Sequence, residues 1–208
     1  MSVHINHIVS SQYFLGQGGG KAITDVLFGL FNPGGRIPLS VPQTVGAMPV
    51  YYNFKPLARA GHYTDVTTVP TYSFGYGQSY TTFSRSNFHV TTSSPSPSTF
   101  SSTDVITFHV TVANTGSMAG SDVPQVYLLQ RVSSVVQPSK QLVAFDRVYL
   151  NAGETKAVAM HFDPARYLLT LNRSWQWEVE KGEYTFALLE DSSVNSDTTV
   201  NATLVCVG

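Results

Sequence analysis

The chain has 208 residues, of which 42% are hydrophobic and 12% carry a charge. The hydrophobic share is sufficient for a folded core, while the charged share is about half that of ordinary soluble proteins. The net charge is −1 and no run of basic residues occurs, so the sequence predicts no nucleic-acid partner. No apolar stretch approaches the roughly 20 residues of a membrane-spanning helix, so it predicts no membrane partner either.

The first 83 residues contain one readable helix and little other regular structure. Residues 21–28 are predicted to be helical, because apolar side chains recur at helical spacing and a glycine follows. Residues 37–41 are predicted to form a short edge strand, because prolines restrict its pairing. The segment 43–83 is rich in aromatic residues and glycine, and a loop of that length is normally functional or packed against another part of the chain.

The second part of the chain has the pattern of an antiparallel β-sandwich. Residues 105–112 alternate between apolar and polar side chains, which is the period of a half-buried strand. Turn residues separate seven such runs and no helix pattern lies between them, as expected for a sandwich. The predicted strands are 105–112, 123–129, 142–150, 157–162, 175–179, 184–189 and 198–207. A Ser/Thr/Pro-rich loop at 91–102 places the best domain boundary within residues 84–101.

The motifs for cofactor and metal binding are absent. The glycine cluster at 16–21 reads GQGGGK, with leucine before it and alanine after it, so it satisfies neither the phosphate-loop pattern nor the dinucleotide fingerprint. The six histidines are scattered along the chain, and no group supplies the three or four converging ligands of a metal site. The sequence therefore predicts no cofactor and no metal.

The carboxylates do not indicate an active site in this chain. Asp25 on the predicted helix and Asp65 in a loop are the two acidic residues of the first 83, and three glutamates at 178–183 flank a hairpin turn. Solvated helix and strand ends commonly carry such groups. There is no Gly-X-Ser-X-Gly elbow, and Cys206 lies in a predicted strand. No catalytic residue is assigned.

Aromatic residues and two sequons are the remaining candidate sites. The aromatic side chains between Tyr51 and Tyr80 could stack on sugar rings or could join two domains, and the second interpretation is favoured. Asn172 and Asn201 each begin an Asn-X-Ser/Thr acceptor for glycosylation, which matters if the chain enters a secretory pathway.

Long phrases of the sequence resemble the C-terminal part of family 3 glycoside hydrolases, which include β-glucosidases and β-xylosidases. The phrases GGGKAITDVLFGLFNPGGRIPLSVP, VGAMPVYYNFKP and PTYSFGYGQSYTTF resemble the end of the family's α/β domain and the linker after it. VTVANTGSMAGSDVPQVYL, PSKQLVAFDRVYLNAGET and WQWEVEKGEYTFAL resemble its fibronectin type III-like domain. The resemblance implies a mainly β chain with an α/β remnant (helix plus strand) at 1–42, a linker at 43–86 and a fibronectin type III-like sandwich at 87–208.

The same resemblance implies retaining hydrolysis of β-linked glucosides or xylosides by two carboxylates. In such enzymes the nucleophile lies in an N-terminal barrel domain and the acid/base glutamate lies upstream in the α/β domain, and this sequence matches neither region. We therefore expect the chain to be inactive alone, to brace the catalytic domains in association with the barrel, and to meet a glycoside in their context. Phe74 and Tyr76 are the candidates for a rim around the substrate pocket.

Two alternatives stay open at this point. The chain could be a stand-alone fibronectin-like module that binds carbohydrate or protein, or it could be a relict gene product. Members of the family are often secreted, but the N-terminus MSVHINHIVSSQYF lacks the basic and apolar regions of a signal peptide. The localisation is therefore not predicted.

Overall fold

The computed structural model describes residues 16–55, 67–129, 133–193 and 200–207. Its described part contains two short α-helices and twelve β-strands. The helices are α1 (Gly19–Leu27) and α2 (Pro164–Tyr167). The strands are β1 (Phe83–Thr92), β2 (Thr99–Phe100), β3 (Ile106–Asn114), β4 (Gly120–Asp122), β5 (Gln125–Leu129), β6 (Gln141–Phe145), β7 (Val148–Leu150), β8 (Thr155–Phe162), β9 (Leu169–Leu171), β10 (Trp177–Val179), β11 (Gly182–Leu189) and β12 (Val200–Cys206).

Two facing sheets form the β-sandwich that the alternating sequence pattern predicts. One sheet has the strand order β1-β3-β8, and the other has the order β2-β12-β11-β5-β6. All pairs are antiparallel except β12 with β2, which run parallel. Two small ribbons, β4-β7 and β9-β10, complete the described strands. The predicted fold class, mainly β with a sandwich after a small α/β remnant, is confirmed.

The core lies between the two sheets and is centred on aromatic rings. Every second residue of β3 is buried, beginning with Ile106. The ring of Phe108 lies 5.9 Å from that of Phe162 on β8 and 5.1 Å from that of Phe186 on the facing sheet. The strict alternation of β3 therefore directs its apolar side chains into the interface between the sheets.

Strand β1 crosses the segment in which the sequence places a domain boundary. It begins at Phe83, and its pairing with β3 shifts register between Ser86 and His89. Asn87 sits in this bulge with a φ of 54°, the left-handed region that asparagine tolerates better than most residues. The bulge interrupts the period of two along the strand. The domain limits at residues 42 and 86 stay predictions.

The other predicted elements differ from the structure in detail. The predicted helix at 21–28 is found as α1, two residues earlier at its start. The predicted edge strand at 37–41 is an extended segment with one bridge, between Val41 and Tyr72, and a hydrogen bond from Ile37 N to Tyr76 O of 2.9 Å. The predicted strand at 142–150 is two strands, because β6 pairs with β5 whereas β7 pairs with β4. No helix in the described part is long and apolar enough to cross a membrane.

The outer faces of the two sheets differ in what lies over them. On the five-stranded sheet, Tyr127, Ala187, Leu189 and Leu142 contact aromatic residues from the first part of the chain. We call this the covered face. The outward side chains of the three-stranded sheet form the bare face, which includes no aspartate, glutamate, lysine or arginine. They are Ser84, Ser86, His89, Thr91, Thr107, His109, Thr111, Ala113, Thr155, Ala157, Ala159 and His161.

Candidate functional site

The candidate functional site is the junction between the sandwich and the residues before it, which we call the leading segment (16–55 and 67–82). At its centre Asp122, at the end of β4, is almost completely buried, with 1% of its side chain exposed. Arg85 of β1 donates to both carboxylate oxygens of Asp122, at 2.7 Å each. Arg36 of the leading segment donates to the same carboxylate at 2.9 Å and to the Gly77 carbonyl at 2.7 Å.

The electrostatics of this ion cluster favour a charged Asp122. Burial acts to raise the pKa of its carboxyl, but the hydrogen bond and charge of Arg85, together with the charge of Arg36, outweigh it, and the pKa is lowered. The two arginines thus compensate one buried carboxylate. Breaking such a cluster leaves an uncompensated buried charge, so Asp122 ties Arg36 of the leading segment to the sandwich.

A second set of contacts fastens the end of the leading segment to α1 and to β3. The buried Asn32 side chain accepts from the Tyr80 amide at 2.7 Å and donates to the Ser79 hydroxyl at 3.0 Å. The Tyr80 hydroxyl donates to the Val26 carbonyl in α1 at 2.9 Å. Thr81 then donates to the Asn114 side chain at the end of β3 at 2.7 Å. These bonds satisfy polar groups that burial would otherwise leave unpaired.

A third set of contacts joins the leading segment to the covered face. Gln125 of β5 donates to the carbonyls of Gly75 and Glu190, at 3.0 and 2.7 Å, and accepts from the Tyr127 hydroxyl at 2.8 Å. Burial raises the pKa of Tyr127, so its hydroxyl is a permanent donor at neutral pH. Gly75 has a φ of 82°, and a Cβ there would clash with the Gln125 side chain, so this contact requires glycine.

The two predicted rim residues are part of this packing. Phe74 stacks on Tyr52 with ring centroids 4.0 Å apart, and Tyr52 meets Tyr127 edge-on at 6.3 Å. Tyr76 lies 5.1 Å from the Tyr72 ring, and its hydroxyl accepts from Gln78 at 2.9 Å. Phe74 therefore joins the leading segment to the sandwich. A role of either residue at the rim of a substrate pocket stays a prediction.

Several of the other carboxylates considered from the sequence have protein partners, and one lies outside the described residues. Asp25 pairs with Lys21 one helical turn away, at 2.6 Å. Glu180 accepts from Ser133 and Ser134, and its pKa is lowered because these hydrogen bonds outweigh the effect of burial. Asp65 lies outside the described residues, as do His4, His7 and His62. No cluster of three or more potential metal ligands occurs in the part of the chain that the structure describes.

The two sequons lie in different settings. The Asn172 side chain accepts from the amides of Ser174 and Gln176, at 2.9 and 3.0 Å, and donates to Glu178 at 3.0 Å. Asn201 is exposed on β12, opposite Ala187 of β11. A glycan on Asn172 would replace one of the two hydrogens on the nitrogen that donates to Glu178, whereas Asn201 has no such contact among the described hydrogen bonds. Glycosylation at both sites stays a prediction.

Both parts of the chain match known domain families. Residues 3–80 match the model of the glycosyl hydrolase family 3 C-terminal domain. Residues 122–192 match the model of the fibronectin type III-like domain. The chain belongs to glycoside hydrolase family 3.

Within family 3, the chain corresponds to the C-terminal region. It is 39% identical over 191 residues to the periplasmic β-glucosidase of Salmonella typhimurium, covering 87% of this chain and 24% of that protein. A β-glucosidase of saponin metabolism from intestinal bacteria has a TM-score of 0.83 and 34% identity, with 91% of this chain and 25% of that chain covered. The β-glucosidase of Listeria innocua in complex with glucose has a TM-score of 0.81 and 29% identity. This match covers 94% of this chain and 27% of that chain. The chain thus spans about a quarter of the length of these relatives.

The leading segment of this family 3 region exposes large apolar side chains. Phe28, Leu30 and Phe31 lie just after the end of α1, and 79%, 74% and 55% of their surfaces are exposed. The apolar side chains of α1 itself are half-buried, not fully buried. Three exposed apolar residues of this size within four positions are typical of an interaction surface.

Proposed function

We propose that this chain is the C-terminal part of a β-glycosidase, that it braces the catalytic domains, and that both catalytic carboxylates lie outside it. The observation that carries the proposal is the buried cluster of Asp122, Arg85 and Arg36, which ties the leading segment to the sandwich. A segment that is tied to a stable sandwich on one side can support a further domain on the other. The substrate class, β-linked glucosides or xylosides, is that of the family.

The state of the carboxylates supports the absence of catalysis in this chain. A retaining glycosidase needs two carboxyl groups about 5 to 5.5 Å apart, one of them a free nucleophile. Asp122 is held between two arginines and Asp25 is paired with Lys21. Glu180 is engaged by two serines. Each of these groups therefore already has a structural partner.

The exposed apolar side chains after α1 support the bracing role. Phe28, Leu30 and Phe31 lie on the leading segment. An α-helix and a lone extended segment cannot bury both sides of an α/β layer, so the rest of the α/β domain is the natural partner of this surface.

The catalytic part of the proposal is tested with the purified 208-residue chain and chromogenic aryl β-glucosides and β-xylosides. We expect hydrolysis at the rate of buffer alone, because the chain supplies no nucleophile and acid/base pair. Turnover that co-purifies with the chain, and that no other protein in the preparation explains, would overturn it.

The bracing part is tested by intact mass and peptide mapping of the protein from its source. We expect a mass several-fold above 22.7 kDa, with peptides that precede Met1. In that longer protein, Arg36→Ala should lower both the melting temperature and the glycosidase activity, while Lys21→Ala on exposed α1 should change neither. A source protein of 22.7 kDa that begins at Met1 would contradict the proposal and favour a stand-alone module.

A further inference from the structure

The hairpin β9-β10 exposes both tryptophans of the chain. Trp175 lies in its turn and is 83% exposed, while Trp177 begins β10 and is 66% exposed. Trp177 pairs with Leu171 of β9 across the ribbon. Tryptophan has a very large apolar surface, so two indoles left in solvent on one short hairpin contribute little to folding and point to a ligand.

Hydrogen bonds fix the conformation of the turn that contains Trp175. The Asn172 side chain accepts from two backbone amides of the turn, and the Trp175 amide donates to the Asn172 carbonyl at 3.0 Å. Trp175 itself has a φ of 61°, a left-handed conformation that is strained for a bulky residue. Strain of this kind persists where the surroundings over-determine it, and it concentrates at binding and active sites. The bonds of Asn172 hold Trp175 in this strained, outward position.

The hairpin lies at the end of the sandwich opposite the ion cluster of Asp122, Arg85 and Arg36. Arg85 lies near the start of β1, which pairs with the end of β3. The hairpin follows the end of β8, where Phe162 pairs with Ile106 at the start of β3. The length of β3, about 30 Å for nine residues, separates the two ends. The tryptophans are therefore well away from the ion cluster, although the leading segment approaches their end of the sandwich through the Phe54 carbonyl, which accepts from the Ser139 hydroxyl at 3.0 Å.

The immediate surroundings of the indoles are polar and carry little net charge. Ser174 and Gln176 alternate with the two tryptophans along the chain. The charged neighbours Arg173 and Glu178 have opposite signs, and they bond to the Ser134 carbonyl at 3.4 Å and to the Asn172 side chain at 3.0 Å. A neutral, hydroxyl-rich polymer suits such a surface better than an acidic or basic one.

We propose that the β9-β10 hairpin binds a neutral β-linked polysaccharide, with Trp175 and Trp177 as stacking platforms. A pyranose ring whose hydroxyls are equatorial, as in glucose and xylose, presents a flat C–H face that packs on an indole ring. The neighbouring amide and hydroxyl side chains then hydrogen-bond the sugar hydroxyls. The inference goes beyond the bracing role and does not rest on it, because it concerns exposed side chains that take no part in the ion cluster.

Intrinsic fluorescence tests the proposal directly, because both tryptophans of the chain belong to the hairpin. Excitation at a wavelength selective for tryptophan reports on this site alone. We expect titration with hydroxyethyl cellulose, a soluble β-1,4-glucan, to shift the emission to shorter wavelength in a saturable way, since stacking removes water from the indoles. Dextran, a soluble α-glucan, should leave the emission unchanged. The absence of any shift with the β-glucan would overturn the proposal.

Variants separate binding from folding in native gels that contain the same β-glucan. Trp175→Gly is the informative variant, because glycine adopts a φ of 61° without strain and the turn should keep its fold. We expect it to bind about tenfold more weakly, as for the loss of one anchoring aromatic contact, and Trp175→Phe to retain part of the binding. Phe145→Ala, at a 64% exposed aromatic residue on β6, is the matched control and should migrate as the unsubstituted chain does. Equal retardation of Trp175→Gly and the unsubstituted chain would overturn the proposal.

Discussion

The two outer faces of the sandwich carry different chemistry although both belong to sheets built mainly from antiparallel pairs. The covered face presents Tyr127, Leu142, Ala187 and Leu189, and the chain places Tyr52 and Phe74 over them. The bare face presents serine, threonine, alanine and three histidines, and none of the described leading segment lies over it. The difference shows which side of a fibronectin-like sandwich is used to hold another part of the same protein.

The covered face gains stability from contacts between the sandwich and the leading segment. Gln125 reaches the Gly75 carbonyl, 50 residues away, and the Tyr127 ring meets that of Tyr52 at 6.3 Å. The bare face has contacts between neighbouring strands of its own sheet, such as that between Thr91 and His109 at 3.0 Å. Substitutions on the covered side should therefore unfold the chain as a whole, while substitutions on the bare side should have small effects.

The largest effect is expected for Asp122→Ala at the junction beside the covered face. Removal of the carboxylate leaves Arg36 and Arg85 buried without their counter-charge, so the free energy of unfolding should fall by about 3 to 5 kcal/mol. Urea denaturation followed by circular dichroism measures it. Asp25→Ala, which breaks the exposed pair with Lys21, is the control and should cost under about 0.5 kcal/mol. Equal losses for the two variants would mean that the buried cluster contributes no more to stability than the exposed pair does.

Phe74→Ala should have the next largest effect. The substitution removes a ring that stacks on Tyr52 at 4.0 Å and packs against the covered face. Because Phe74 is half-buried, we expect a loss of about 2 kcal/mol, below the range for a fully buried phenylalanine. Limited proteolysis should then cleave the leading segment sooner than in the unsubstituted chain. Unchanged proteolysis would show that the stack does not hold this segment in place.

A matched pair of alanine substitutions compares the two faces directly. Ala187 is fully buried on the covered face, whereas Ala157 is exposed on the bare face. Ala187→Ser buries a hydroxyl and should cost about 1 to 3 kcal/mol, while Ala157→Ser should stay within about 0.5 kcal/mol of the parent. Thermal unfolding of both variants side by side measures the difference. Similar melting temperatures would imply that the covered face is open to water.

The smallest effect is a pH dependence that arises from the bare face. The pKa of His109 is lowered, first by burial and then by the nearby charges of His89 and His161, whose rings share this face. The unfolded chain therefore binds a proton at His109 more readily than the folded chain, so stability falls as the pH drops below the ordinary value of 6.5. His109→Gln should reduce the change of the urea midpoint with pH between about pH 7 and 5.5. A slope equal to that of the parent would assign the dependence to other groups.

Local pattern was sufficient to predict the strands whose burial alternates without interruption. Strand β3 was predicted at 105–112 and is found at Ile106–Asn114, because alternate side chains enter the core along its whole length. Strand β1 was not predicted, because the bulge at Asn87 shifts its apolar side chains to the other phase midway. The run at 142–150 was predicted as one strand, since nothing local shows that β6 and β7 pair with different partners.

The junction could not be predicted from the same kind of pattern. Asp122 begins a stretch that reads as an ordinary strand end, and its partners Arg36 and Arg85 lie 86 and 37 residues before it. A single acidic residue gives no sign of burial until those partners are known. The likeness of whole phrases to family 3 enzymes identified the region, whereas the pairing of particular charges required the folded chain. Nothing in the local sequence pattern distinguishes Gln125 or the exposed Trp175 from the residues around them.

The parallel pairing of β2 with β12 has a consequence for how fast the molecule folds. Phe100 pairs with Cys206, so closing this part of the five-stranded sheet joins residues that are more than a hundred positions apart. Strand β12 also lies between β2 and β11, so β2 can join the sheet only after β12 has paired with β11. Sheets built on such non-local contacts assemble in about milliseconds to seconds, slower than helical proteins of equal size. During that interval β11 exposes an unpaired edge, which is the surface through which a newly made chain would associate with another copy.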